Sequence, residues 1–181
     1  MKNKMTMDKI FKFSKKFIDK KQNKIVSTLD NPFIAKGCLY ASDGVCFIRY
    51  IVDDSIPCGV YDTKGHIIKQ IQDIHATIAC NIDRYINAIM VESNKQTQTE
   101  PVFYRNDSMT HETGNLLQYP WFNLDMPNQG GLYEESIIKR INRGKMITHD
   151  YYYMPNNPLI VGNIKSKTGI FGIMHVKPAV N

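Results

Sequence analysis

The chain has 181 residues, of which 43% are hydrophobic and 22% charged, and a formal net charge of +6. That suits one large globular domain or two small ones with a genuine core, and the positive balance favours a polyanionic partner over a neutral one. No apolar run approaches the roughly 20 residues that cross a bilayer, and lysines break the stretch from Ile10 to Ile18, which excludes a signal-peptide core. A soluble, cytoplasmic protein without membrane contact is therefore expected. The four cysteines, Cys38, Cys46, Cys58 and Cys80, lie far apart with no CxxC pair and no histidine at ligand spacing. They read as buried thiols in a reducing compartment, not as a zinc site or a disulfide frame.

The first predicted helix runs from Met7 to Lys20. Ile10, Phe13, Phe17 and Ile18 fall on one side, while Lys9, Lys12, Lys16 and Lys20 share another at steps of three and four. Those lysines are either a solvated face or a phosphate-facing one. A hairpin follows, Phe33–Ala41 and Val45–Val52, joined around Ser42-Asp43-Gly44, because Asp-Gly tolerates the positive φ such turns need. Both faces of its second strand are apolar except at Arg49, so cover on both sides is expected. Ile56–Tyr61 reads as an edge strand, since Pro57 cannot donate to a ladder. A second helix is predicted from Lys64 to Ile74, capped by Asp62 or Thr63, with Ile67, Ile68, Ile71 and Ile74 as its stripe.

Between Ala76 and Val91 two patterns compete. Thr77–Cys80 fits a strand, Ile82, Tyr85, Ile86, Ile89 and Met90 fit a helix, the preferred reading, and Ala88–Val91 also fits a buried strand. A polar loop at Ser93–Glu100 leads to a strand at Pro101–Arg105, and Pro127–Gly131 is the clearest break. A third helix is expected from Tyr133 to Arg143, with Glu134 and Glu135 in its first turn and Lys139, Arg140 and Arg143 outside. Two last strands, Leu159–Ile164 and Gly169–Val176, close the chain, and no strict internal repeat is visible. Tyr151-Tyr152-Tyr153 is either a strand or an interface patch.

These elements predict an α+β fold with basic amphipathic helices on one face of antiparallel sheets. Residues 1–126 would form one domain and 127–181 a partial second. Helices gathered in that way would merge their cations into a surface that meets phosphates without reading bases. No P-loop, dinucleotide-binding glycine pattern, HExxH or GxSxG is present, so a non-enzymatic protein without cofactor or metal is expected. Asp53-Asp54 reads as a solvated turn before a metal site. The scattered histidines, His66 among them, read as ordinary.

The segment Leu39–Val52, LYASDGVCFIRYIV, resembles the strand-turn-strand signature of the bacterial DNA polymerase III β sliding clamp family. Ile56–Ile71, Tyr119–Pro127 (YPWFNLDMP), Tyr133–Arg143 and Leu159–Pro178 are similar to later family segments in order and outline. The chain is much shorter than that family's three-domain subunit, and its ending GIMHVKPAVN departs from the family's. The resemblance implies a DNA-clamp-like fold, with sheets outside a ring and helices lining a central hole. It also implies a processivity factor that encircles double-stranded DNA without sequence preference and tethers a polymerase or other replication protein. Lys9, Lys12, Lys16, Lys20, Lys64, Lys69, Lys139, Arg140 and Arg143 would then face DNA. A subunit this short would need roughly three or four copies to close a homo-oligomeric ring, a compact clamp of the kind a phage carries. The rival readings are a clamp-like decoy that binds replication proteins, and a metal-dependent nucleic-acid-processing enzyme using Asp53, Asp54 and His66.

Overall fold

A computed structural model describes residues 6–18, 30–93, 102–104, 132–142, 147–153, 159–164 and 168–174. Helix α1 (Met7–Ser14) continues into a 3₁₀ turn at Lys15–Phe17. Strands β1 (Phe33–Ala35), β2 (Cys38–Ser42), β3 (Cys46–Ile51), β4 (Gly59–Tyr61) and β5 (Ile67–Lys69) follow. Then come α2 (Asp73–Ser93), β6 (Val102–Tyr104), β7 (Leu132–Glu134), α3 (Glu135–Asn142), β8 (Ile147–Tyr153), β9 (Leu159–Ile164) and β10 (Gly169–Met174).

Eight strands form one antiparallel sheet in the order β5-β4-β1-β2-β3-β10-β9-β8, and β6 and β7 make a separate parallel pair. The fold class is α+β, as expected. Strands from both sides of the expected 126/127 boundary join this one sheet, because β3 pairs directly with β10.

Alternation along the strands explains why both sheet faces are covered. Ile34, Leu39, Ala41, Ile48, Tyr50, Phe171 and Ile173 point into one core with Ile10, Phe13 and Phe17 of the first helix and Ile137 and Ile141 of α3. Phe33, Tyr40, Phe47, Val60 and Val161 point into the other, beneath Ala79, Ile82 and Ile86 of α2. The one-face expectation is thus corrected: α1 and α3 share a face, and α2 lies on the opposite one. The steps of three and four from His75 through Ala79 and Ile82 to Ile86 bury an apolar stripe, which settles the ambiguous segment as helix.

Several boundaries differ for physical reasons. The predicted strand at 33–41 is two strands, broken by Lys36 (φ 49) and Gly37 (φ 69) in a tight reversal. The predicted helix at 64–74 is a hairpin. Asp62 accepts hydrogen bonds from the Lys64 and His66 amides at 2.8 and 2.9 Å, which closes the β4–β5 loop with the same side-chain chemistry that caps a helix. Strand β4 is interior, not an edge, since it pairs with both β1 and β5. Large rings fill the space above glycines directly opposite them: Phe47 over Gly172 and Phe171 over Gly162.

One regularity crosses the whole sheet. Helix α1 precedes the meander β1-β2-β3, and α3 precedes the meander β8-β9-β10. The two meanders meet back to back at β3 and β10, with both helices in the same core.

Candidate nucleic-acid interface

Helix α1 is held by aromatic packing. Phe13 and Phe17 meet edge to face with centroids 5.4 Å apart, and Phe11 stacks on Tyr61 at 5.0 Å. Burying such a ring contributes roughly 1.5–3 kcal/mol, so the stripe fixes which side of α1 faces water. Lys9, Lys12 and Lys15 stand exposed on that side, together with Asp8. Lys16 is half-buried, its ammonium 5.4 Å from the Phe13 ring centroid.

Helix α3 lies against the Lys15–Phe17 turn and exposes Lys139. Lys64 is exposed in the β4–β5 loop, where Gly65 abuts the Phe11 ring, and so sits beside α1. Lys69 is exposed on strand β5, at the sheet edge. Lys64 and Lys69 therefore stand on a loop and a strand, not on the predicted helix. Lys20, Arg143 and the segment 119–127 lie outside the described residues.

Arg140 is corrected from a surface cation to a half-buried anchor. Its guanidinium donates to Asp43 Oδ2 at 2.7 Å and to Cys46 Sγ at 3.2 Å, and the Asp43 side chain is 1% exposed. Burial works against its charge, but the Cys46 sulfur and the Asp43 carboxylate more than offset this and raise its pKa. Asp43 Oδ1 also accepts the Val45 and Cys46 amides at 3.0 and 2.9 Å. One carboxylate thus ties the β2–β3 turn to α3, which holds α3 in register beside α1.

The opposite face carries a second polar cluster. Asp83 of α2 accepts the Tyr40 hydroxyl at 3.0 and 3.1 Å and the Arg49 guanidinium at 3.1 Å. Burial, with Cys38 and Asp83 nearby, pushes the Tyr40 phenol well up, so it stays protonated and donates. This arrangement pins α2 across β2 and β3. His75 is fully buried, and its Nδ1 accepts the Gln72 amide at 3.1 Å at the start of α2. It supplies from N3 the return bond of a capping box.

Asp53 Oδ1 is taken up by the amide and hydroxyl of Ser55, and His66 pairs with Asp62 at 3.1 Å. Among the described residues no group of His, Cys, Asp and Glu side chains is arranged to hold a metal ion. Of the cysteines only Cys46 is buried; Cys38 is half-buried and Cys58 and Cys80 are exposed, which corrects the expectation of four buried thiols. Among the described residues no helix is long and apolar enough to cross a membrane.

Lys15 was missed by the sequence reading. The 3₁₀ turn, at three residues per turn, aligns Lys15 with Lys12, and the i+3 step between them was the available signal. No protein-family model, curated protein or solved structure matches the chain.

Proposed function

We propose that this protein binds duplex DNA along its phosphate backbone, without reading sequence, as a clamp-like processivity factor that performs no chemistry itself. The observation that carries the reading is the α1–α3 layer. Two helices share one face of the sheet, and Lys9, Lys12, Lys15, Lys64 and Lys139 are exposed on them or beside them. Lysines on a rigid apolar-backed layer attract a polyanion by counterion release, which is the weak and mobile attraction sliding requires. A layer of helices backed by a sheet is also the arrangement the clamp resemblance implies for the wall of a central hole. Helix α2, on the opposite face of the sheet, is a departure from it.

The test is binding of a fluorescent duplex at several salt concentrations, together with solution mass by light scattering. Four or five phosphate contacts give a log–log salt slope of about −3.5 to −4.5. Such a slope and a concentration-independent oligomer are expected. A chain that binds no duplex at low salt contradicts the reading. A monomer that still binds contradicts ring closure and leaves backbone binding.

A further inference from the structure

Strand β5 ends the order of the eight-stranded sheet, so among the described residues no strand pairs with its outer side. Its backbone is aimed outward there. Tyr61 lies opposite Ile67, yet the Tyr61 amide donates to Pro32 O, on the far side of β4. Residues opposite each other in an antiparallel ladder exchange both hydrogen bonds or neither, so Ile67 turns its amide and carbonyl to the open edge.

The side chains are exposed as well. Ile67 is 43% and Ile68 51% exposed, and Ile74, at the start of α2, is 39% exposed. Three of the five large apolar side chains exposed among the described residues therefore fall between positions 67 and 74. An unpaired backbone flanked by exposed isoleucines is a template on which another chain can add.

Charge decides which chain. Between Thr63 and Gln72 there are two lysines, Lys64 and Lys69, both exposed, and no acid. Asp62, just before them, is committed to its own loop: it accepts the Lys64 and His66 amides and pairs with the His66 ring. A second copy adding here would bring its own lysines against these. The three-residue length of β5 and the register shift at Val60/Tyr61 discourage such self-pairing further. An acidic strand neutralises the lysines instead.

We propose that the β5 edge docks an extended acidic segment of a partner protein as an added strand, with main-chain bonds at Ile67 and carboxylates meeting Lys64 and Lys69. The proposal stands apart from the duplex reading, since it concerns a sheet edge and its test contains no DNA.

The experiment titrates the full chain with two fluorescent peptides of about ten residues, the upper end of strand length. One alternates valine with glutamate, the other valine with lysine. The glutamate peptide is expected to bind about tenfold tighter at low salt, two exposed ion pairs replacing two like-charge contacts. It should also slow hydrogen exchange at the Ile67 amide. Ile67→Pro removes a donor that the ladder to β4 does not use, and should weaken binding about fivefold for the one bond lost. Lys69→Glu should weaken it several-fold, whereas Lys12→Gln, on α1, should bind the peptide as the unaltered chain does. Thermal melts establish that the variants fold; if Ile67→Pro does not, Lys69→Glu and the exchange at Ile67 decide. Equal affinity for the two peptides, or no protection at Ile67, overturns the proposal. Loss through Lys12→Gln without loss through Lys69→Glu does so too. A change of solution mass in Lys69→Glu would make the edge a contact between copies and likewise overturn it.

Discussion

Replacing Asp43 by Asn removes one negative charge from a site where its partner remains. The Asp43 side chain is 1% exposed and that of Arg140 27%, so the pair is buried on one side and wetted on the other. Breaking a buried pair costs about 3–5 kcal/mol, and the water that reaches Arg140 moves the expectation to the lower end, about 3 kcal/mol. In Asp43→Asn the amide oxygen still accepts from Val45 and Cys46, while the amide nitrogen turns a donor toward the guanidinium. For a chain of this size that loss lowers Tm by about 6–12 °C. The urea midpoint should fall by about 1–1.5 M with the slope unchanged. Adding Arg140→Met should recover part of the loss, because the uncompensated charge then disappears too. The assay is urea unfolding followed by far-ultraviolet circular dichroism. A variant within about 0.5 kcal/mol of the parent, a difference typical of featureless surface sites, would refute the claim that this carboxylate holds α3 to the hairpin.

Gly172→Ala drives a Cβ into the Phe47 ring and should cost about 1–3 kcal/mol by overpacking. Gly44→Ala meets nothing within 4 Å and should cost only about 1 kcal/mol, for a φ of +86; chemical unfolding of the two variants separates crowding from backbone strain. Hydrogen bonds from the His66 and Lys64 amides hold the Asp62 carboxyl at about 2, below its ordinary 3.8. Because the folded value is the lower one, its contribution is present above about pH 4 and lost as pH falls through 2. Asp62→Asn should therefore flatten the stability profile across that window, as read by unfolding at stepped pH. Burial raises the Cys46 thiol well above its ordinary range, so an alkylating reagent should label exposed Cys58 and Cys80 in the native protein and Cys46 only on unfolding, by mass spectrometry.

Local chemistry was legible where one signal pointed one way. The β2–β3 hairpin and strands β9 and β10 follow from alternation and the Asp-Gly turn, whereas over 76–91 helical spacing competed with strand patterns and the packing of Ala79, Ile82 and Ile86 on the sheet decides for helix. The hairpin at 59–69 was not legible as such. Asp62 caps helices and closes loops by the same bonds, and Ile67, Ile68, Ile71 and Ile74 fit one helical stripe while the first two belong to β5, Ile71 to a connection and Ile74 to the first turn of α2. The Lys36-Gly37 reversal was hidden because lysine is an unusual first residue for a turn with two positive φ values. Which face each helix covers is set by pairings between distant strands, above all β3 with β10, and periodicity carries no such information. The same holds for Arg140. Its spacing on α3 resembles that of a surface cation, and only the fold brings Asp43 beneath it. The repeated helix-and-meander order was invisible for a like reason: topology repeats, while the two meanders carry different residues.

The most direct test neutralises the layer as a whole. Lys9, Lys12, Lys15 and Lys139 are changed together to Gln, and the control carries Lys69→Gln and Arg84→Gln, exposed cations on β5 and α2. Duplex affinity is measured for both against salt. The account predicts that the fourfold variant loses most of its affinity and about 3–4 units of salt slope, while the control stays within a few-fold of the unaltered chain. A fourfold variant that binds as before, or a control that loses as much, would contradict the assignment of the α1–α3 layer as the DNA-facing surface.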